Sequence, residues 1–339
     1  MTHQSSLRAV GIEFDDPALE STVRQGLQVV ESALQAAVRS EDEFVADVAK
    51  YLVDAGGKRF RPLLTLLAAQ FGRDGAGVDA DAVVMSAVVC ELTHLATLYH
   101  DDVMDEATVR RGATAANTRW SNTVAILTGD FLFARASDIL ADLGPEAVRI
   151  QARTFERLVT GQIRETVGPK PGVDPVEHYL SVLADKTGSL IATAAEFGAR
   201  FAGVPEDTVD GLRAFGEQLG IAFQISDDIL DIASETGQSG KTPGTDLREG
   251  VQTLPVLYAL QGSDPSTQRL RELVSRPLTD ECEHAEALSL LRSSEALEQA
   301  RSTMLDFADS ARATIAGLPE LPATAALRAL ADLVVLRSG

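Results

Sequence analysis

Residues 101–105 read Asp-Asp-Val-Met-Asp, and residues 227–231 repeat the pattern as Asp-Asp-Ile-Leu-Asp. Each cluster closes a largely apolar stretch with helical periodicity, one over about 80–105 and the other over 206–234. At 3.6 residues per turn, Asp101 stacks over Asp105 and Asp227 over Asp231. Like charges so spaced destabilise an isolated helix by about 0.2–0.5 kcal/mol per pair. Three acids in one turn, twice over, call for a cation. Hard oxygen donors with no metal-ligand pattern of Cys or His favour Mg2+, which takes a few carboxylates and completes its shell with water and phosphate. A solvated acidic helix end is the plain alternative for one such cluster. Two of them, each flush against apolar sequence, weaken it.

Outward from these clusters the pattern is helical nearly throughout. Pro17 to Arg39 is amphipathic, with Leu19, Val23, Leu27, Val30 and Leu34 near one face. A second helix, about 42–55, stops at Gly56-Gly57. Lys58-Arg59-Phe60-Arg61-Pro62 follows, and its proline suits the start of the next helix. After a Gly/Asp-rich loop (72–79), the helix over 80–105 is apolar nearly all round, which places it at the centre of a bundle. A loop with Arg110-Arg111-Gly112 leads to helical patterns near 120–142, 145–167, 175–203 and 206–234. No convincing strand run appears. The expectation is an all-α protein: one large helical bundle over 1–339, with 1–16 as a flexible N-terminus.

Composition narrows the function. Hydrophobic residues make up 45% of 339, enough for a substantial core, and the net charge of −20 argues against nucleic acid or an anionic membrane as main partner. No run of 18 uncharged apolar residues and no signal-peptide core is present, so a soluble, cytoplasmic protein is expected. Cys90 and Cys282 form no motif and are read as reduced and structural.

Anion-binding chemistry is concentrated locally. Gly56-Gly57-Lys58-Arg59-Phe60-Arg61-Pro62 puts three cations in a glycine-led turn at a helix start, where backbone N–H groups and the helix dipole also favour an anion. Basic loops are usually just surface, so this segment alone decides little. Arg110-Arg111 stands five and six residues past Asp105, suited to a diphosphate shared with a metal. Lys186-Thr187 lies among small residues, where a lysine can also snorkel to water. Gln224, three residues before Asp227, is hard to justify in an apolar run without a polar role. Lys241 follows the second cluster in Ser239-Gly240-Lys241-Thr242.

These motifs, in order, resemble the trans-polyprenyl (E-isoprenyl) diphosphate synthases of medium or long chain. The resemblance runs from about residue 50 to 260: GGKRFRP, ELTHLATLYHDDVMDEATVRRG, Gly129-Asp130, KTGSL, GIAFQISDDILD, GKTPGTDL and TLP. It implies the isoprenoid synthase fold, with a central cavity between the helices that carry the two DDxxD motifs. It also implies a prenyltransferase that joins isopentenyl diphosphate head-to-tail to an allylic diphosphate. Mg2+, up to three ions, is held by Asp101, Asp105 and Asp227, with Asp102, Asp228 and Asp231 in support. Isopentenyl diphosphate is held by Lys58, Arg61, His94 and Arg111. Arg110, Lys186, Thr187, Gln224 and Lys241 serve the allylic diphosphate, and Lys186, Thr187 and Gln224 stand near the carbocation as catalytic positions. A homodimer is implied as well. One position departs from the pattern: Val251 stands where a second diphosphate-binding lysine is usual, and Arg248 is the nearest cation in sequence.

Product length is read from one helix face. Back from Asp101, the positions Thr97, Ala96, Thr93, Cys90 and Ser86 are small, a stripe of about 22 Å at 1.5 Å per residue with no aromatic plug near its top. Bulky residues four or five places before the first Asp stop growth early in the resembling family. Ala96 and Thr97 therefore imply a long product, C30–C50, as used for quinone side chains. Phe131 and Phe133 are candidate floor residues, although small residues also serve close helix packing and phenylalanines the core. The alternatives are a C15–C20 synthase or a non-catalytic subunit that tunes length. A terpene cyclase lacks need of a second diphosphate site, and a di-iron bundle needs a partner for Glu91-Leu92-Thr93-His94 that the chain does not supply.

Overall fold

The computed structural model describes residues 14–72, 80–234 and 243–337. Backbone proximity divides the chain into two compact units, one of residues 1–156, 190–216 and 317–329, the other of 157–189, 217–316 and 330–339. Both are helical, and the only strands among the described residues are a two-residue pair. The all-α expectation holds.

In the first unit, α1 (Pro17–Ala37), α2 (Glu43–Asp54) and α3 (Phe60–Ala69) precede α4 (Ala80–Met104). Asp16 and Asp42 cap α1 and α2 by accepting the N–H groups of Leu19 at 2.7 Å and Val45 at 3.1 Å. All five apolar positions expected on one face of α1 are buried. Helix α4 packs against α1, α3 and α6 (Asn122–Leu143), and every residue from Ser86 to Thr93 is buried. That surround explains its uniform apolarity. It is long and apolar enough to cross a membrane by composition, but 72% of its apolar window is buried inside the protein, as in a core helix. Gly129 sets the closeness of α6 to α4, because a Cβ there would collide with the His100 ring and crowd the Ala96 carbonyl.

The loop after α4 contains a feature that the sequence pattern did not predict. Strands β1 (Val109–Arg110) and β2 (Ala113–Thr114) pair antiparallel, with Arg110 opposite Ala113. The turn residues Arg111 and Gly112 both have positive φ, 53° and 75°, as a two-residue hairpin requires. Two residues per strand are too few to display an alternating pattern. A short α5 (Ala116–Arg119) then leads to α6, and α7 (Pro145–Val167) crosses the division after Glu156.

The second unit holds the rest of α7, then α8 (Pro175–Leu183) and a π-helical turn, Ala184–Gly188, which runs into α9 (Ser189–Phe201). The continuous helix expected over 175–203 is thus interrupted by a wide turn at its centre. Helix α10 (Glu206–Ala233) carries the second acidic cluster in its last two turns, and α11 (Thr245–Glu249) follows. Helix α12 (Leu254–Gln261) packs on α8, α13 (Gln268–Val274), α14 (Glu281–Arg292) and α15 (Glu295–Thr314), before α16 (Pro322–Leu336). Cys90 is buried and Cys282 exposed; both are free, so only Cys90 keeps a structural place.

Candidate active site

The first acidic cluster sits at the C-terminal turn of α4, where the helix dipole already disfavours negative charge. Its three acids have different surroundings. Asp102 is fully buried and both its oxygens are used: Oδ1 accepts from Arg110 Nε at 2.6 Å, and Oδ2 from the Ala116 N–H at 3.2 Å. Asp101 is half-buried and Asp105 exposed, with Arg110 Nη2 3.8 Å from Asp105 Oδ2. Asp102 therefore fixes the hairpin and its guanidinium, while Asp101 and Asp105 lie nearer solvent.

A cation cluster is built from the start of α3, the middle of α4 and the hairpin turn. Arg59, at φ 50°, is left-handed without being glycine, a strain of order 1–3 kcal/mol. Its guanidinium offsets this with bonds to Glu31 at 2.8 and 3.0 Å, to Glu91 at 2.9 Å and to the Val53 carbonyl at 3.0 Å. Burial opposes the charge on Arg59, but the two glutamates outweigh it and raise its pKa. Arg111 donates to the Leu52 carbonyl at 3.2 Å and to the Gly56 carbonyl, and stands 3.9 Å from Glu91. Burial lowers the pKa of Arg61 and of Arg111, and the Arg61 Nε is buried with no hydrogen-bond partner. His94 is pushed well below the usual imidazole range by burial and then by Arg61, Arg111, Arg59 and Arg110, so it is neutral at physiological pH. Lys58 is exposed beside them in sequence. Arg61, His94 and Arg111 thus come together electrostatically, with an orphan donor suited to an anion.

The second cluster is held by different chemistry. Asp228 is buried, and its oxygens accept from the Tyr179 hydroxyl and from Gln224 Nε2, the latter at 3.2 Å. Burial, with Asp246 and Asp227 adding negative charge against those hydrogen bonds, pushes its pKa up to about 8. Asp231 accepts the N–H groups of Thr245 at 3.3 Å and Asp246 at 3.2 Å, at the start of α11. Asp227 accepts from Arg337 Nη2 at 2.6 Å, and that guanidinium also lies 4.8 Å from the Phe223 ring centre.

The π turn presents Lys186 and Thr187. Such turns are rare and recur at functional sites. Thr187 Oγ1 lies 3.4 Å from Gln224 Oε1, so Thr187, Gln224 and Asp228 form one chain of polar contacts. Lys186 Nζ pairs with Glu165 at 2.5 Å. Arg157 braces the turn through Asp185 at 2.9 Å, the Ala184 carbonyl at 3.2 Å and Glu217. Lys241 lies outside the described residues. Val251 is 44% exposed, and Arg248 is committed to Glu281 through bonds of 2.8 and 2.7 Å.

Behind the first cluster, within the same unit, α4, α6 and α7 enclose a cavity of about 480 Å3. His100 and Asp130, 3.5 Å apart, stand at one part of its wall; Phe133 and Phe155, Leu140 and Val148 line others, with Thr93 and Gln151. Phe133 lines it, but Phe131 does not. Ala96 is fully buried and Thr97 bonds the His94 carbonyl at 2.8 Å; neither lines this cavity, whereas Thr93 and His100, on either side of them along α4, do.

Several roles escaped sequence reasoning. Glu31 and Glu91 pair with Arg59 and order the cation cluster, Tyr179 and Arg337 contact the second acidic cluster, and Gln151 faces the cavity. Glu91 and Gln151 gave the one usable signal, a charged or amide residue inside an apolar helical run. Nothing local marks Tyr179 or Arg337, whose partners lie 49 and 110 residues away.

The donors suit a divalent metal. They are carboxylate oxygens at helix C-terminal turns, without sulfur or imidazole. Among the described residues, no three or more His, Cys, Asp or Glu side chains converge into a closed cage. Mg2+ needs no such cage, because it keeps waters and shares substrate phosphates.

An all-α chain with two such acidic helix ends and a basic anion pocket has the isoprenoid synthase fold. A family model described as Polyprenyl synthetase matches residues 42–291, and the chain belongs to that family. It is 51% identical over 329 residues to a nonaprenyl diphosphate synthase of Mycobacterium tuberculosis, covering 97% of each chain. Among solved structures, a geranylgeranyl pyrophosphate synthase of Corynebacterium glutamicum, complexed with calcium and isoprenyl diphosphate, superposes with a TM-score of 0.87 at 46% identity, covering 97% of this chain and 100% of that one. A decaprenyl diphosphate synthase of Rhodobacter capsulatus gives 0.85 at 34% identity, covering 95% and 99%.

Proposed function

We propose that this chain condenses isopentenyl diphosphate head-to-tail with an allylic diphosphate, farnesyl or geranylgeranyl, to give an all-trans polyprenyl diphosphate of C30–C50. The cavity carries this reading. Its wall begins at His100, the residue next to Asp101, and continues along apolar side chains of three helices, as a growing hydrocarbon tail demands. The kinship with a nonaprenyl diphosphate synthase supports the longer product over a C15–C20 one.

Mg2+, when bound by the aspartates of the two clusters, supplies Lewis-acid charge to the departing diphosphate. Asp101, Asp105 and Asp227 are its ligands in this proposal. Asp102, Asp228 and Asp231 position them, which agrees with the hydrogen bonds that already occupy all three. Arg110, held by Asp102, neutralises diphosphate oxygens. Lys58, Arg61, His94 and Arg111 bind the diphosphate of isopentenyl diphosphate; neutral His94 donates one hydrogen bond without adding charge to a cluster already rich in guanidinium. Thr187 and Gln224 turn oxygen dipoles toward developing positive charge, and Lys186 reaches the allylic diphosphate by leaving Glu165. Lys241 is assigned with them.

The protein acts in the cytoplasm as a homodimer. Support for the second copy comes from Ile126 and Leu127 on α6 and Val148 on α7, which are 43%, 61% and 43% exposed on helices whose other faces are packed. The test is direct: purified protein, Mg2+, labelled isopentenyl diphosphate and farnesyl diphosphate, with products resolved by length. Polyprenyl diphosphates beyond C20, abolished by EDTA, are expected. A pure chain that elongates nothing is a tuning subunit instead.

A further inference from the structure

The cavity behind the first acidic cluster has one polar feature that tail binding does not explain. Gln151 on α7 is 7% exposed, lines the cavity, and donates from Nε2 to Thr93 Oγ1 on α4 at 2.8 Å. Its Oε1 is buried without any hydrogen-bond partner. Exchanging the amide oxygen and nitrogen changes which atom is orphaned, not that one is. Buried polar atoms are nearly always paired, so an orphan beside an apolar space is a deliberate irregularity.

Position gives it a role. Thr93 lies seven residues before His100 on α4, about 10 Å farther from Asp101 along the helix axis. The Phe133 and Phe155 rings, 4.5 Å apart between centroids, belong to the same wall. We propose that the Gln151–Thr93 pair, a hydrogen-bonded brace joining α7 to α4, is a specificity-determining element that sets how far the product tail advances. This rests on the cavity being the tail site. A hydrocarbon can pass the phenylalanines at no polar cost. At the brace it meets an amide that it cannot bond, and filling that depth with hydrocarbon leaves the orphan oxygen without a partner. Growth beyond this point is disfavoured, and release of the product competes with the next addition. Gln151 then sets where the tail stops.

The test compares Gln151→Leu, which keeps the bulk and removes the amide, with Thr93→Val, which keeps the shape and removes the hydroxyl. Each variant and the parent protein are given farnesyl diphosphate, labelled isopentenyl diphosphate and Mg2+, and the products are resolved by length. The dominant product of Gln151→Leu is expected to lengthen by at least one five-carbon unit, with the KM for isopentenyl diphosphate unchanged. Thr93→Val, which frees the amide from its tether, is expected to broaden the product distribution toward longer chains. A purely structural brace would lower the melting temperature and leave lengths alone. Unchanged or shorter products from both folded variants overturn the proposal while the function stands. A parent protein that elongates nothing overturns the function and this inference together.

Discussion

The two acidic clusters have the same sequence pattern and opposite electrostatics. At the first, the buried central carboxylate, Asp102, is met by a guanidinium 2.6 Å away. At the second, the buried central carboxylate, Asp228, is met by a phenol and an amide, both neutral, and burial pushes its pKa up to about 8. Each cluster has a guanidinium folded in, Arg110 on Asp102 and Arg337 on Asp227, but only the first places it on the buried central carboxylate. The same DDxxD spacing thus gives two environments: the first sets an arginine on its buried carboxyl group, the second a phenol and an amide.

The largest effect should come from the proposed metal ligands at the matching first positions of the two clusters. Asp101→Ala and Asp227→Ala should each lower kcat by about 10²–10⁴-fold, since Lewis-acid charge stabilisation is worth several kcal/mol. Steady-state assays on variants with parental circular dichroism check this. Equal, small losses at both sites would dissolve the metal assignment.

Stability should separate the central aspartates. Asp102→Asn leaves Arg110 without its buried carboxylate, with only Asp105 at 3.8 Å, and should cost about 3 kcal/mol, the lower end for a broken buried pair because Arg110 is 25% exposed. Asp228→Asn keeps neutral hydrogen bonds and should cost less than about 1 kcal/mol. Urea unfolding in the absence of metal measures both; a reversed order refutes the contrast.

Titration sharpens it further. The folded pKa of Asp228, about 8, exceeds its ordinary value of 3.8, so the folded state holds a proton that the unfolded state has lost. Its contribution is full below 3.8 and disappears as pH rises through about 8. Metal-free protein should therefore lose stability toward alkaline pH, and Asp228→Asn should lose less. His94 has the opposite sign. Its folded pKa lies well below the ordinary 6.5, so below 6.5 only the unfolded state takes the proton, and stability falls toward acid. His94→Gln should flatten the acid side of a plot of melting temperature against pH.

The smallest effect concerns Val251, the position where the resembling family carries a lysine. Arg248, the nearest cation in sequence, is tied to Glu281. Val251→Lys should lower the KM for the allylic substrate about two- to fivefold, the scale of an exposed ion pair. No change would mean that the charge is supplied elsewhere.

Much of this was legible beforehand, and for local reasons. The faces of α1 and α4 follow from residue spacing alone, because a helix repeats every 3.6 residues. Arg61, His94 and Arg111 were named from motifs, and the structure gathers their charges, but Glu91 and Glu31, which order that cluster, were not named as part of it. The π turn at 184–188 was hidden because its residues have ordinary helix propensity; Arg157, Asp185 and Glu217 stabilise it through contacts 28 to 60 residues apart. Ala96 and Thr97 were selected by counting back from Asp101. Which of their neighbours faces open space depends on how closely α6 approaches, and Gly129 sets that.

By itself, then, the sequence determined the all-α class, the central apolar helix and the acidic and basic motifs, all of which depend on residue type and short spacing, and the family resemblance of those motifs implied the reaction. Tertiary structure alone decided the electrostatic state of each aspartate. Asp102 meets Arg110 through a hairpin the spacing did not reveal, and Asp228 meets Tyr179 from a segment 49 residues away; the free energy of a charge depends on those partners and on burial. It decided, for the same reason, that the Gln151 amide stands beside the cavity behind the first cluster.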